Sequence, residues 1–187
     1  GALSDYHQSI KLDSEAVDSY FYRGRMFAQL HFPEKAIRDY SIALKLEENN
    51  ADLFTLRAKE KIILKQFESA VLDCRHSISL RKENPEAYAV LAQLKFKEGR
   101  IEQALILIDS ALYFESENYN FQIRKAAYYS KSDLKKSLNT LLSFFQKWNN
   151  TFDEILKDSS ISAYFKIIKD TAIVFSKFQL NQKNISD

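Results

Sequence analysis

Glycine, proline and cysteine are scarce in this sequence: its 187 residues include three glycines, two prolines and one cysteine. Typical soluble proteins contain about 7% glycine and about 5% proline, and the turns of sheets and hairpins depend on such residues. The shortage therefore predicts an all-α fold. The single cysteine, Cys74, cannot form an internal disulfide, and one cysteine excludes a zinc site built from cysteines.

A strong excess of one charge and long apolar runs are missing as well. Lysine and arginine number 27 against 25 aspartates and glutamates, which gives a formal net charge of +2. This balance gives no reason to expect nucleic acid or an anionic membrane as the main partner. No apolar run approaches the roughly 18 residues that a membrane-spanning helix requires. We therefore predict no nucleic-acid partner and no membrane partner.

The sequence does contain a repeat with a period of 34 residues. Ala36, Ala70 and Ala104 are separated by that step. The same step connects a row of small residues, a row of aromatic residues and a row of large apolar residues: Gly24, Ala58, Ala92 and Ala126; Tyr20, Phe54 and Tyr88; Leu12, Leu46, Leu80, Phe114 and Trp148. Several rows in one register indicate a repeat architecture in which each unit is one supersecondary element.

Each unit has the pattern of two amphipathic helices. Apolar and small residues recur at steps of three and four, which is the spacing of one helix face. In the second helix of the first unit this stripe consists of Ala36, Ile37, Tyr40, Ala43 and Leu44. We expect breaks between helices at residues 31–33, 47–50, 65–66, 82–85, 99–100 and 115–118. Small residues such as Gly24 should let the two helices of a hairpin approach closely.

These rows carry a resemblance to a known family. The pattern of Tyr20, Arg23, Gly24, Phe27, Ala36, Tyr40 and Ala43, repeated at 34 residues, resembles the tetratricopeptide repeat. The resemblance implies a right-handed superhelical solenoid of helix-turn-helix hairpins, with three repeats at residues 17–50, 51–84 and 85–118. The chain departs from the family pattern in two ways. The proline that usually closes a repeat is replaced by Glu48, Lys82 and Ser116, and Lys61 and Lys95 stand where Phe27 stands in the first repeat.

The segments on either side of the three repeats are atypical. Residues 1–16 match the second helix of a truncated preceding repeat, so we expect Leu3, Tyr6 and Ile10 to lack their usual cover. Residues 119–148 are predicted to form a degenerate fourth repeat. Residues 149–187 are predicted to form C-terminal capping helices followed by a polar tail, because the last hydrophobic face of a solenoid needs a cap.

No constellation of catalytic or ligand-binding residues is recognisable. The three histidines fall at inequivalent places in different repeats, and Cys74 belongs to a core row with Tyr40 and Ile108. A buried structural cysteine is therefore a better interpretation than a nucleophile. We predict no catalytic residues, no cofactor and no metal, and we expect a protein that is not an enzyme.

The resemblance implies a concave groove lined by the first helix of each hairpin. The row Tyr22, Leu56 and Val90 would form an exposed apolar strip, and such patches usually mark interaction sites. The candidate partner-binding groove combines this strip with neighbouring basic residues: Tyr22, Arg25, Leu56, Lys59, Val90, Lys97, Arg124 and Lys131. It would suit a peptide or partner helix with acidic and apolar residues. The alternative is that the basic residues pair with nearby acids and only keep the face soluble.

One ligand class of the family can be compared residue by residue. Co-chaperone members hold a C-terminal carboxylate with Lys and Asn on the first groove helix, Asn on the second, and Lys and Arg on the third. Here the corresponding places hold Phe21 and Arg25, then Leu56, then Glu86 and Val90. The pattern is absent, so the sequence disfavours a receptor for chaperone tails.

The sequence therefore predicts a non-catalytic scaffold or adaptor module for protein–protein interaction. The alternative is a structural module that self-associates or packs within a larger protein. RNA binding is disfavoured because the charge is nearly balanced and no polar pair recurs in each repeat.

Overall fold

The structure is a computed structural model that describes residues 1–133, 136, 137, 139, 140 and 143. Residues 1–133 form eight α-helices and contain no strand, so the all-α prediction is confirmed. The helices in chain order are α1 (Ala2–Leu12), α2 (Val17–Gln29), α3 (Pro33–Leu46), α4 (Ala51–Ile63), α5 (Phe67–Leu80), α6 (Pro85–Lys97), α7 (Ile101–Phe114) and α8 (Tyr119–Tyr129). None of them is long and apolar enough to cross a membrane.

The chain divides into two compact units, residues 1–94 and residues 95–187. In the first unit α2 packs on α3 and α4 packs on α5, and each pair forms a hairpin with a three-residue connection. Helix α1 packs against α2, and α3 packs against α4. In the second unit α7 packs against α8. The six breaks that the sequence predicts lie within one residue of those in the structure.

The turn inside each of the three repeats uses a left-handed residue at the same repeat position. His31 and Lys65 both have φ of 59°, and Gly99 has φ of 76°. Glycine adopts this conformation without steric cost, whereas a residue with a Cβ is strained in it. The first two turns therefore store backbone strain that the third avoids.

Asparagine caps α4, α6 and α8, the helices that follow one another at the 34-residue period. The side chain of Asn50 accepts a hydrogen bond from the backbone N–H of Leu53 at 3.1 Å. Asn84 and Asn118 stand one and two repeats further on, and they accept equivalent bonds at 3.3 and 3.2 Å. An asparagine cap satisfies an N–H that has no partner within its helix. Asn84 is buried and also donates to the hydroxyls of Thr55 and Ser77.

The small residues of the repeat lie at close helix contacts. A Cβ added to Gly24 would lie 2.6 Å from Cε1 of Tyr40, whose ring is buried. Ala36, Ala70 and Ala104 have no exposed surface. The prediction that Gly24 permits close approach of two helices is thereby confirmed.

A buried ion pair joins the two helices of the first hairpin and recurs in the second. Arg23 Nε and Nη2 donate to the two carboxylate oxygens of Asp39 at 2.7 and 2.8 Å. Thirty-four residues later, Arg57 makes the same bidentate contact with Asp73 at 2.9 and 2.7 Å. Lys61, which replaces the aromatic residue of the first repeat, lies 2.7 Å from the Asp73 carboxylate. The lysine that departs from the family pattern at position 61 is therefore paired with an acid of the same hairpin.

The expectation that Leu3, Tyr6 and Ile10 lack cover holds only in part, because all three are half-buried although α1 has no fully buried residue. Leu3 and Ile10 pack against the buried cluster that contains Tyr20, and the ring of Tyr6 stacks on that of Tyr22. This partial cover comes from α2, against which α1 packs.

Several predictions lie outside the described residues. They concern the C-terminal capping helices at 149–187 and most of the second helix of the degenerate fourth repeat. The first helix of that repeat is α8, and the hydroxyl of Ser137 donates to the carbonyl of Ala126 at 2.8 Å.

Candidate functional site

The predicted groove residues, except Lys131, lie on α2, α4, α6 and α8, and they are divided between the two units. Tyr22 and Arg25 are on α2, Leu56 and Lys59 are on α4, and Val90 is on α6, all within the first unit. In the second unit Lys97 ends α6, Arg124 is on α8 and Lys131 follows α8.

Tyr22 lies at the centre of an aromatic cluster on the first unit. Its side chain is 44% exposed. Its ring stacks on Tyr6 with a centroid distance of 5.9 Å and meets Phe21 edge-on at 5.0 Å. The guanidinium of Arg25 lies 5.7 Å from the centroid of the Phe21 ring, within the range of a cation–π contact. Tyr22 is therefore held by neighbours while part of it remains accessible to a partner.

The predicted apolar strip is shorter in the structure than in the sequence. Leu56 is half-buried against the core cluster of the first hairpin. Val90 is only 1% exposed, so its place in an exposed strip is corrected. The reason is the composition of α6, where Ala87, Leu91 and most other residues are apolar on every side of the helix. A helix that is apolar all round is a buried helix, and this signal was readable in the sequence.

The basic residues of the first unit differ in how they are paired. The ammonium group of Lys59 lies 2.6 Å from a carboxylate oxygen of Glu86, and both side chains are about one-third exposed. Arg25 is exposed and forms no ion pair among the residues described. The alternative interpretation, in which basic residues pair with neighbouring acids, thus holds for Lys59 but not, among the residues described, for Arg25.

The second unit contributes three basic residues. Lys97 and Lys131 are exposed, and Arg124 is half-buried. Two of the three lie at or beyond the end of a helix, where a cation is favoured by the helix dipole.

The chemistry of Cys74 agrees with its assignment to the core. Its side chain has no exposed surface, and burial, followed by the negative charge of Asp73, raises the pKa of the thiol to about 12. The reactive form of cysteine is the thiolate, so this residue is a poor nucleophile at neutral pH. No three His, Cys, Asp or Glu side chains of the described part of the chain are grouped as they would be around a metal ion.

Sequence reasoning overlooked two features of this region. Tyr6 and Phe21 flank Tyr22, although neither belongs to the predicted groove. The 34-residue step relates Arg23 to Arg57 and Asp39 to Asp73, and this coincidence could have revealed the ion pairs before the structure did.

The hairpins, their 34-residue period and the small residues between their helices define an all-α tetratricopeptide-type repeat fold. Comparison with solved structures confirms this fold. MamA from Desulfovibrio magneticus RS-1 is similar with a TM-score of 0.68 and 15% identity, over 84% of this chain and 86% of that one. YrrB, described as a tetratricopeptide-repeat protein with an unusual peptide-binding site, gives a TM-score of 0.63 and 12% identity, over 89% and 91% of the two chains.

A third similar structure is the first tetratricopeptide domain of Spaghetti (RPAP3) bound to the HSP90 peptide SRMEEVD. Its TM-score is 0.58 and its identity 22%, over 62% of this chain and 94% of that one. No protein-family model matches the chain, and no curated protein matches it. The likeness is therefore one of fold.

Proposed function

We propose that this chain is a non-catalytic protein-interaction module that binds a peptide or a partner helix on the first helices of its hairpins. Two of the structurally similar proteins, the RPAP3 domain and YrrB, are described as binding peptides. The observation that carries the proposal is the half-exposed Tyr22, held between Tyr6 and Phe21, with the cation of Arg25, which forms no ion pair within the described part of the chain, close to the Phe21 ring.

The physical argument rests on preorganisation. A tyrosine whose ring is already held by neighbours loses little conformational entropy when a partner covers it, so its burial is converted efficiently into affinity. Buried aromatic anchors at interfaces often contribute about 2 kcal/mol or more, whereas an exposed ion pair contributes about 0–1 kcal/mol. Tyr22 should therefore dominate the affinity, and Arg25 should favour acidic residues in the partner.

The proposed site consists of Tyr22, Arg25, Leu56 and Lys59, all in the first unit. Lys97, Arg124 and Lys131 lie in the second unit and stay predicted binding residues, separate from the proposed site. Val90 is left out because it is buried. Lys59 contributes less than Arg25, since a partner carboxylate would have to displace Glu86.

A peptide-array screen with the intact chain would identify ligands and test the site. Tyr22→Ala should weaken binding by about 30-fold, which corresponds to about 2 kcal/mol, at any salt concentration. The matched control is Tyr113→Ala, because Tyr113 is a more exposed tyrosine outside the proposed site. If the control weakens binding as much as Tyr22→Ala, the aromatic cluster is not the anchor.

The charge contribution is tested with Arg25→Glu/Lys59→Glu, compared with Lys45→Glu/Arg75→Glu at exposed positions outside the site. The first variant should slow association with acidic peptides and remove most of its salt dependence, since steering acts mainly on the association rate. Equal effects of the two variants would show that only net charge matters. Light scattering across a concentration series separates peptide binding from the alternative, self-association of the chain.

A further inference from the structure

A cavity opens on the side of α2 that faces away from the proposed peptide site. It lies among α1, α2 and α3 in the first unit and has a volume of about 230 Å³. Its lining residues are His7, Arg23, Phe27, Lys35, Arg38 and Asp39. At 3.6 residues per turn, Arg23 and Phe27 project from α2 roughly 100° or more from Tyr22 and Arg25. The cavity is therefore distinct from the surface that contains Tyr22.

The charges in this cavity are not balanced. Asp39 is 2% exposed in its side chain, and Arg23 occupies both of its carboxylate oxygens. Lys35 and Arg38 form no ion pair among the residues described. The charges of Arg23 and Asp39 neutralise each other. Lys35 and Arg38 therefore contribute two positive charges that no acid among the lining residues neutralises.

Aromatic rings lie next to Lys35 and His7 in this cavity. The ammonium group of Lys35 lies 5.3 Å from the centroid of the Phe27 ring and 4.7 Å from that of Phe32. His7 meets the Phe27 ring edge-on at 6.4 Å, and its Nδ1 hydrogen-bonds to the carbonyl oxygen of Leu3 at 2.6 Å. Because a carbonyl oxygen only accepts, Nδ1 carries the proton, and Nε2 is the ring nitrogen left for other partners.

The second repeat provides an internal comparison. It keeps the ion pair between arginine and aspartate, but Lys61 and Arg57 both bind Asp73 there, and Arg57 also donates to Ser41 at 3.1 Å. The positions equivalent to Lys35 and Arg38 are Ser69 and Leu72. The second hairpin thus packs without cations at these two positions, and the two additional cations are specific to the first repeat.

We propose that this cavity binds a compact oxyanion carrying two negative charges, of the kind presented by a phosphate monoester. Arginine offers a planar fork of donors that matches phosphate oxygens, and lysine offers a point charge. A phosphate monoester carries about −1.5 to −2 charges at neutral pH, which complements the two unneutralised cations. The volume far exceeds the ~15 Å³ that a single water needs, so the cavity accommodates such a group.

The test is a titration of the whole chain with inorganic phosphate, followed by backbone NMR shifts at ionic strength held constant with chloride. Shifts should concentrate at the residues that line the cavity. Lys35→Gln/Arg38→Gln should weaken phosphate binding about tenfold or more, because each of the two cations donates a charge-assisted hydrogen bond to the anion. These two side chains are exposed, so the variant should keep its fold, and its thermal unfolding checks this.

Controls separate this site from general electrostatics and from the peptide site. Lys45→Gln/Arg75→Gln removes the same charge from exposed positions outside the cavity and should leave phosphate affinity unchanged. Tyr22→Ala should also leave it unchanged, so failure of one proposal does not entail failure of the other. Acetate should bind at least tenfold more weakly than phosphate. Equal loss in both charge variants, or shifts spread over all basic surfaces, would overturn the proposal, and equal binding of acetate would overturn the requirement for a dianion.

Discussion

Replacing the buried pair of Arg23 and Asp39 by leucines should be far less harmful than replacing either residue alone. The Asp39 side chain is 2% exposed, and its hydrogen bond with Arg23 raises the pKa of the guanidinium. Arg23→Leu leaves that carboxylate buried without its partner, which should cost about 3–5 kcal/mol of unfolding free energy. Asp39→Leu leaves Arg23, whose side chain is 14% exposed and can reach water, so we expect a smaller loss of roughly 1–3 kcal/mol.

The double variant should lie within about 1 kcal/mol of the parent, because two apolar residues of suitable size replace both partners together. The third repeat has leucine at both equivalent positions, Leu91 and Leu107, which shows that the fold accommodates this combination. A double-mutant cycle measured by urea unfolding should therefore give a coupling energy of at least about 3 kcal/mol, because the two single losses sum to about 4–8 kcal/mol and the double variant loses about 1 kcal/mol or less.

The matched control is the exposed ion pair of Arg81 and Asp52, for which the same cycle should give about 0–1 kcal/mol. If the losses of Arg23→Leu and Asp39→Leu simply add in the double variant, the two residues are not an energetically coupled unit. A coupling as large in the exposed pair would equally refute the role of burial.

Three further predictions concern local features of the first unit. Gly24→Ala should lower the unfolding free energy in urea by about 1–3 kcal/mol, because its Cβ would press on the ring of Tyr40. The variant Gly24→Ala/Tyr40→Cys, which copies the second repeat, should recover part of this loss. If it recovers none, the contact with Tyr40 is not the cause. Lys65→Gly should raise the unfolding free energy by about 1 kcal/mol, since Lys65 has φ of 59° and the equivalent residue of the third repeat is Gly99. If the substitution lowers stability instead, the backbone at Lys65 is not strained. Burial raises the pKa of Glu60, whose Oε2 has no hydrogen-bond partner among the residues described, so its contribution is fully present below its unfolded pKa and is lost as the pH rises through its folded pKa. Glu60→Gln should accordingly stabilise the chain by about 1 kcal/mol near neutral pH and by less at about pH 4, and parallel stability curves for parent and variant would disprove the shift.

The sequence by itself determined the repeat, the helices and the positions of most breaks. These properties depend on local chemistry: a stripe of apolar residues at steps of three and four, scarce glycine and proline, and small residues at one 34-residue step. Gly24 is an example, because a residue without a side chain in register with alanines indicates close helix contact wherever the partner helix lies.

Tertiary structure alone decided how the candidate groove residues are used. Helical spacing assigns Tyr22, Leu56 and Val90 to one row, but it does not determine how deeply each side chain is covered by neighbouring helices. Val90 is buried, Leu56 is half-buried, and Tyr22 remains exposed against Tyr6 from another helix.

The same holds for charge. Lys59 is paired with Glu86 from α6, whereas Lys35 and Arg38 border a cavity in which Arg23 already neutralises Asp39. An ion pair between helices forms only when the two charged groups come within about 4 Å, and burial determines what that pair contributes. Such distances are fixed when helices pack. The sequence therefore identifies the charged residues, but only the packed structure shows which of them remain available to a partner.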